Sequence, residues 1–418
     1  MVCIALGCTE GWTMPGRALQ YFAELHGLVD NAIRDRVFGG VVFLVRREGD
    51  WILHHAKGSL GTGHEEAPLD EDAIFDVASL TKVLVTAPSV MLLQEVGELS
   101  LDDPVVEYIP EFCGGQRRLV KIQDLLTHSS GLPAWAPIYL FADDEDEATE
   151  FISHVPLEYE PTQRIVYSCL GFILLGRVVE QVSGQDLAEF AAEHIFKPLD
   201  LRHTFFNPPR ELLDRIVPTE NGNVHEQGMA AQYFDQFSKI AQQDASLERY
   251  CRRARARLNS MRREGLIRGE VHDSNAYFLG GVCGNAGLFS CASDVVQMAE
   301  EFLTGATGRG GTAVLSPESI RLMISPHREA EGQRRGLGWQ LIEGTETSGG
   351  RVISRSAFGH TAFTGCSLWV DPLRELSVVL LSNAVCPRYN AEAMRTFRPA
   401  FHDLVVKFSD CIFKPAHA

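Results

Sequence analysis

Positive charge is scarce in this sequence. Lys and Arg number 38 against 55 Asp and Glu, a formal net charge of −17 over 418 residues. That balance excludes nucleic acid as a partner unless a basic face is segregated. One basic concentration exists: Arg249, Arg252, Arg253, Arg255, Arg257, Arg262, Arg263 and Arg268. A charge run of this kind reads as the solvated side of a surface helix. The acidic run Asp143 to Glu147 reads as a surface loop on the same ground. Long apolar runs are also missing. None approaches the roughly 20 residues that span a bilayer, so no transmembrane segment is expected. The opening MVCIALGC has no positive n-region and only a short apolar run, which argues against a secretory signal. Ala5-Leu6-Gly7-Cys8 only partly matches a lipoprotein cleavage box, and Met14 offers an alternative start. The ten cysteines are scattered and none forms a C-x-x-C pair. A zinc site is therefore not expected. Scattered thiols without a leader fit a reducing compartment, so the expectation is cytoplasmic. No cofactor or metal motif, internal repeat or low-complexity segment is visible, and nothing specifies an oligomeric state.

What is present is ample material for a core. Hydrophobic residues make up 45% of the chain and charged residues 22%, as in an ordinary globular enzyme. Leu19, Phe22, Leu25, Leu28, Val29 and Ile33 recur at helical spacing and predict an amphipathic helix over 17–36. Gly39 to Val45 and Trp51 to Ala56 predict two strands joined by a turn at Arg47 to Asp50. Leu80 to Val96 is apolar nearly all round and closed by Gly97, which predicts a buried central helix kinked at Pro88. Helices are predicted at Ile122–Thr127, Glu145–Ser153, Leu170–Val182 and Asp186–Ile195. A long polar, Arg-rich helical stretch is predicted over 226–264. A helix follows at Val295–Leu303, with Ser293 or Asp294 able to cap it. Strands follow at Gly338–Ile342, Thr364–Val370 and Leu376–Leu381, and a helix at Thr396–Phe408 closes the chain.

Strands thus gather at both chain ends and helices fill the middle. The arrangement predicts an α+β fold, one antiparallel sheet built from both chain ends with an inserted, mainly helical domain. The expected division is 17–75 with 285–410 as the sheet domain and 76–284 as the helical domain.

The sharpest chemistry lies at Ser79-Leu80-Thr81-Lys82, at the start of the buried helix. A serine hydroxyl is a poor nucleophile until a base takes its proton. Positions i and i+3 share a helix face, so Lys82 reaches the Ser79 hydroxyl. The apolar company of Phe75, Val77, Ala78, Val83 and Leu84 implies a buried lysine, which needs a purpose. Tyr167-Ser168-Cys169 offers a second candidate, a tyrosine that serves as general base if nearby cations lower its pKa. Phe358-Gly359-His360-Thr361-Ala362-Phe363 is a third, a strand edge able to offer an N–H to an oxyanion. Each alone also fits an ordinary structural role.

In this order the three segments resemble the S-x-x-K, Y-x-N and K-T-G boxes of serine β-lactamases and penicillin-binding proteins. The resemblance is to the class C β-lactamase-like serine hydrolases, which include esterases and D,D-peptidases. Leu99 to Pro104, Leu125 to Leu132, Val271-His272-Asp273 and Gly287-Leu288-Phe289-Ser290 look like further segments of that family. The match covers about residues 20–405 of this sequence. The resemblance implies a β-lactamase/transpeptidase-like fold. It implies Ser79 as nucleophile, Lys82 and Tyr167 as the acid/base pair, and the N–H groups of Ser79 and Phe363 as the oxyanion hole. His360 and Thr361 would face the substrate.

Three positions depart from the family pattern. Cys169 stands where Asn is usual, and a thiol is a weak hydrogen-bonding substitute for an amide. Ala362 replaces Gly and adds a methyl beside the substrate strand. His360 replaces the Lys of true β-lactamases. Together they point to carboxylic ester hydrolysis with weaker D,D-peptidase or β-lactamase activity. The substrate expected is a small ester, β-lactam or peptide-like molecule. If His360 is the cation beside Tyr167, its charge fades above roughly pH 6.5. The competing expectation is an inactive relative that binds cell-wall fragments or a protein partner. An α/β-hydrolase is excluded for lack of a G-x-S-x-G elbow. The Arg-rich stretch 226–270 is longer than the family pattern and reads as a lid or a partner surface.

Overall fold

The structure, a computed structural model, describes residues 14–60, 67–258, 262–344, 347–386 and 389–413. Cys3, Cys8 and the N-terminal tetrad lie outside the described residues. An eight-stranded antiparallel sheet runs in the spatial order 50–58, 40–47, 376–382, 367–371, 358–361, 340–341, 333–335 and 328–330. The first strand, Gly40–Arg47, pairs with Leu376–Ser382, with Val41 opposite Ser382 and Arg47 opposite Leu376. Period-two alternation makes this possible. Val42 and Leu44 join the core on one face together with Val379 and Leu381. Val41, Phe43 and Val45 join the other face together with Val378 and Leu380. Both faces are therefore covered, which explains why the strands read as continuous apolar runs. Gly58 has φ +101°, and a Cβ there would meet the Gly39 carbonyl at 2.2 Å. Only glycine lets the hairpin partner approach so closely.

Helices Gly16–Arg34 and Ala391–Ile412 pack together against one face. Ala292–Thr307 lies on the other face, against Leu376–Ser382 and Gly40–Arg47. The remaining helices between residues 78 and 278 form the body beside it, and their apolar sides share one core with the sheet. A small sheet of Phe75–Asp76, Leu288–Ser290 and Phe205–Phe206 joins the two parts.

Several expectations are corrected in detail. The segment around Pro88 is not one uniform helix. It begins as a 3₁₀ turn at Ala78–Leu80, widens to a π turn at Lys82–Thr86, and turns α-helical at Ala87–Glu95. Pro88 sits in the first turn of the α-helical part, where its missing N–H costs least, and the π turn absorbs the irregularity. Helix Ala292–Thr307 begins after Cys291 with no side-chain cap. Asp294 instead accepts from His203 N–H at 2.7 Å and Thr204 Oγ1 at 2.9 Å.

The Arg-rich stretch is two helices, Val224–Ala241 and Glu248–Arg257, rather than one. Asp244, Ala245 and Ser246 form the break, with the Asp244 carboxylate accepting the Ser246 N–H and hydroxyl. Arg252 and Arg255 are exposed, as a solvated face requires, but other arginines of the stretch are paired; in the acidic run Asp143 and Asp144 lie in a bend and Glu145 to Glu147 open the predicted helix. Asp144 caps helix Glu145–His154, whose first turn holds Glu145, Asp146 and Glu147. Arg249 pairs with Glu150, and Arg253 with Asp143 and Glu147. The two opposite charge runs therefore neutralise each other across a helix interface.

Candidate active site

The residue before the candidate nucleophile is bent into an unusual conformation. Ala78 has φ +43°, a region that alanine rarely enters. Asp76 holds it there: Oδ1 accepts the Ala78 N–H at 2.8 Å and Oδ2 accepts the His272 N–H at 2.7 Å. Burial pushes the Asp76 carboxyl up, while those two N–H bonds pull it back. Ser79 follows at the head of the helical segment, half-buried at the wall of a cavity of about 500 Å³.

One face of this segment is stitched to the 284–288 strand approach. Thr81 Oγ1 donates to the Ala78 carbonyl at 2.6 Å and accepts the Leu288 N–H at 3.2 Å. Thr86 Oγ1 donates to the Gly284 carbonyl at 2.7 Å. Lys82, fully buried, donates to the Asn285 carbonyl at 2.8 Å and to Ser79 Oγ at 3.1 Å. Burial alone drives the Lys82 ammonium down. Interactions with the facing Cys169 and Tyr167, and with Asp273, act against that shift, and the net direction is up.

Tyr167 lies over the same lysine, with Lys82 Nζ 5.2 Å from its ring centre. Burial pushes its hydroxyl up, and Lys82 opposes that shift. Arg335 approaches the ring from another side at 5.9 Å. His128 fixes the backbone around Tyr167. Its carbonyl accepts the Val166 N–H at 3.0 Å and its Nδ1 accepts the Ser168 N–H at 3.1 Å. Its ring centre lies 4.6 Å from that of Tyr167. Cys169 opens helix Cys169–Ser183. A helix N-terminus ordinarily lowers a thiol's pKa, but here burial pushes Cys169 up and leaves it a neutral thiol.

Strand Phe358–Thr361 closes the site from the sheet side. His360 Nδ1 meets the Thr361 carbonyl at 2.7 Å. A carbonyl only accepts, so Nδ1 carries the proton and Nε2 is bare in the neutral ring. Burial, then Lys82 and Arg335, depress His360 well below the ordinary value. His360 is therefore a neutral imidazole. The expectation that it supplies the cation beside Tyr167 is corrected: Lys82 and Arg335 carry that charge. The Ala362 carbonyl accepts from Arg398 at 2.7 Å, and the Phe363 ring stacks on Tyr389 at 4.4 Å between centres.

Ser79, Tyr167, Cys169, His360, Thr361, Ala362 and Phe363 all line the one cavity, with Lys82 directly behind Ser79. All eight residues singled out in the sequence are thus brought together. Sequence reasoning missed Arg335, His128, Asn285, Glu226 and the site role of Asp273. Arg335 lies outside every segment singled out in the sequence. Glu226 belongs to the Arg-rich stretch, where its charge was lost among the arginines. His128 stood within Leu125 to Leu132 and Asp273 within Val271-His272-Asp273, and those two segments were the available signals.

The Beta-lactamase family model matches residues 25–398. A putative D-alanyl-D-alanine carboxypeptidase of Escherichia coli K12 is 32% identical over 328 residues, covering 74% of this chain and 69% of that protein. Among solved structures, EstCE1, a hydrolase with promiscuous acyltransferase activity, superposes with a TM-score of 0.67 at 21% identity, covering 92% of this chain and 99% of its own. A class C beta lactamase from Rhodobacter sphaeroides gives a TM-score of 0.65 at 18% identity, covering 91% and 98%. The fold is the β-lactamase/transpeptidase-like α+β fold.

Proposed function

The chain belongs to the Beta-lactamase family, whose members are serine hydrolases, and from that premise we propose that it hydrolyses carboxylic esters through an acyl-enzyme on Ser79. The observation that carries this reading is the Lys82 Nζ to Ser79 Oγ bond of 3.1 Å, buried beneath a cavity that Tyr167 also lines. Once the Lys82–Tyr167 pair has given up one proton to solvent, Ser79 attacks the substrate carbonyl and passes its own proton into that pair. The tetrahedral oxyanion rests on the N–H groups of Ser79 and Phe363, both on the cavity wall. Tyr167, with Lys82 beside it, returns the proton to the leaving oxygen. Water then attacks the ester carbonyl on Ser79 and releases the acid. Cys169 favours esters over acylamides, because a thiol is a weak partner for an amide side chain, and the Ala362 methyl takes up space beside the strand on the cavity wall.

A second reading is removal of a C-terminal amino acid from a peptide. Arg335 favours it. It is 8% exposed, lines the cavity, and its Nε has no hydrogen-bond partner among the described residues. A substrate carboxylate would suit it.

Mass spectrometry after treatment with a fluorophosphonate tests the common step. The expected adduct lies on Ser79 and is absent from Ser79→Ala. An unmodified chain in both would overturn the reading. Paired assays with a p-nitrophenyl ester and a D-alanyl-D-alanine peptide separate the two substrate classes.

A further inference from the structure

The Arg-rich segment brings to the cavity a chemistry that acyl transfer does not use. Helix Val224–Ala241 sets Glu226 and Met229, one turn apart, on the cavity wall. Glu226 is only 6% exposed. Its Oε2 accepts from the Ser274 N–H at 3.2 Å and the Ser274 hydroxyl at 2.6 Å. Its Oε1 has no hydrogen-bond partner among the described residues. Asp273 lines the same cavity, with Oδ1 accepting the Ala276 N–H at 2.9 Å and Oδ2 accepting Asn285 Nδ2 at 3.1 Å. Asn285 is buried, and its Oδ1 also lacks a donor among the described residues. Both orphaned atoms are acceptors, so the group that satisfies them is a donor.

The charges lean the same way. Asp76, Glu220, Glu226 and Asp273 surround His272, which Glu220 engages at 2.9 Å. The arginines of the segment turn elsewhere: Arg253 goes to Asp143 and Glu147, and Arg263 to Glu270. The ionisable groups facing Glu226 are Asp273, His272 and, from the short helix Ile138–Phe141, Tyr139. Burial and then Asp273 push the Glu226 carboxyl up to about 7. Asp273 also faces Lys82, and Arg335, Arg395 and Arg398 line the same cavity, so the excess of carboxylate is confined to the part of the wall that Glu226 and Asp273 share with His272.

We propose that Glu226 and Asp273 form a subsite for a primary ammonium group of the substrate. The subsite deepens the acyl-enzyme reading, from which it takes its place beside Ser79. A methyl in the same place would leave the orphaned Glu226 and Asn285 oxygens without a donor, and a hydroxyl would offer a single donor and no charge. An ammonium group supplies three donors and the missing charge.

Calorimetry on the full chain with pentylammonium and with 1-pentanol tests the subsite apart from turnover. Hydrogen bonds to charged groups predict a preference of about tenfold or more for the ammonium. Glu226→Gln should bring the ratio towards one. Met229→Lys, which places a competing cation one turn away, should do the same in a chain that keeps Glu226. Binding of the ammonium should weaken as pH falls below about 7, where Glu226 takes up its proton. In kinetics, ω-aminoalkanoyl p-nitrophenyl esters should exceed their alkanoyl counterparts in kcat/KM, and both variants should erase the difference. Equal binding of the amine and the alcohol would overturn the subsite even in an active enzyme. Preferred amine binding without turnover of any ester would instead overturn the acyl-enzyme reading and leave the subsite standing.

Discussion

Lys82 donates at 2.8 Å to the carbonyl of Asn285, a residue 203 positions away in the chain. The same ammonium donates to Ser79. One cation thus ties the candidate nucleophile to the loop that leads into strand Leu288–Ser290. Burying a charge costs desolvation energy that an apolar residue avoids. Lys82→Met should therefore lower kcat/KM about 10²–10⁴-fold while leaving the melting temperature equal or higher. Steady-state kinetics beside thermal unfolding checks it. A loss of activity together with a collapse of the fold would assign Lys82 a structural role instead.

The neutral His360 changes the expected pH dependence. Its buried ring holds no charge to lose near pH 6.5, its ordinary value. Tyr167, raised by burial, is a phenol at neutral pH. The ionised fraction of the Lys82–Tyr167 pair grows as pH rises, so kcat/KM should climb through the neutral range without an inflection near 6.5. His360→Gln should keep that profile shape. A fall in activity between pH 6 and 8, removed by the same variant, would show that His360 acts as a cation.

Acid should unfold this protein through its buried imidazoles. Burial pushes His402 from 6.5 to about 3, and Ser367 Oγ lies 3.1 Å from its Nε2. His128 and His360 are depressed in the same way. The unfolded chain binds these protons below pH 6.5 while the folded chain refuses them until far lower pH. Stability is therefore full above 6.5 and declines as pH falls from there towards the folded values, by about 1.4 kcal/mol per pH unit for each such histidine. Urea unfolding from pH 7 to pH 4 should show this slope, and His402→Gln should make it shallower.

The packing of helix Cys169–Ser183 leaves no room at Gly284. A Cβ there would meet the Phe172 carbonyl at 2.0 Å and the Gly176 N at 2.9 Å. Gly284→Ala should cost at least about 2 kcal/mol of stability. It should also lower activity in the fraction that folds, because the Asn285 carbonyl that holds Lys82 is one residue on. A stable, fully active variant would mean that the helix yields more easily than its geometry suggests.

Much of the site was legible because its chemistry is compressed into short segments. Ser79 and Lys82 stand three residues apart, and His360 to Phe363 are contiguous. The sheet was legible from apolar runs at both ends of the chain, such as Val41 to Val45 and Leu376 to Leu381. The electrostatics were not. Whether His360 is charged depends on Lys82 and Arg335, which lie far from it in sequence and meet it only in the fold. Arg335 sits on a three-residue strand, Gln333–Arg335, too short to show alternation. The pairing of Arg253 with Glu147 joins two charge runs that each looked solvated when read alone. The π turn at Lys82–Thr86 also escaped, since Pro88 signals an irregularity without saying which turn absorbs it.

The pairing of Val41 with Ser382 has a consequence for the chain as it is made. A ribosome delivers the Ser79 segment early, among helices that collapse locally. The strand His360 occupies and the strands that anchor it arrive hundreds of residues later, and the first hairpin waits for them with an open edge. Closing so long a loop is slow. During synthesis the apolar edge of Gly40–Arg47 is exposed to other nascent chains. The reactive centre is therefore completed only once strands Phe358–Thr361 and Leu376–Ser382 have emerged, and the risk of aggregation is concentrated in the interval before it.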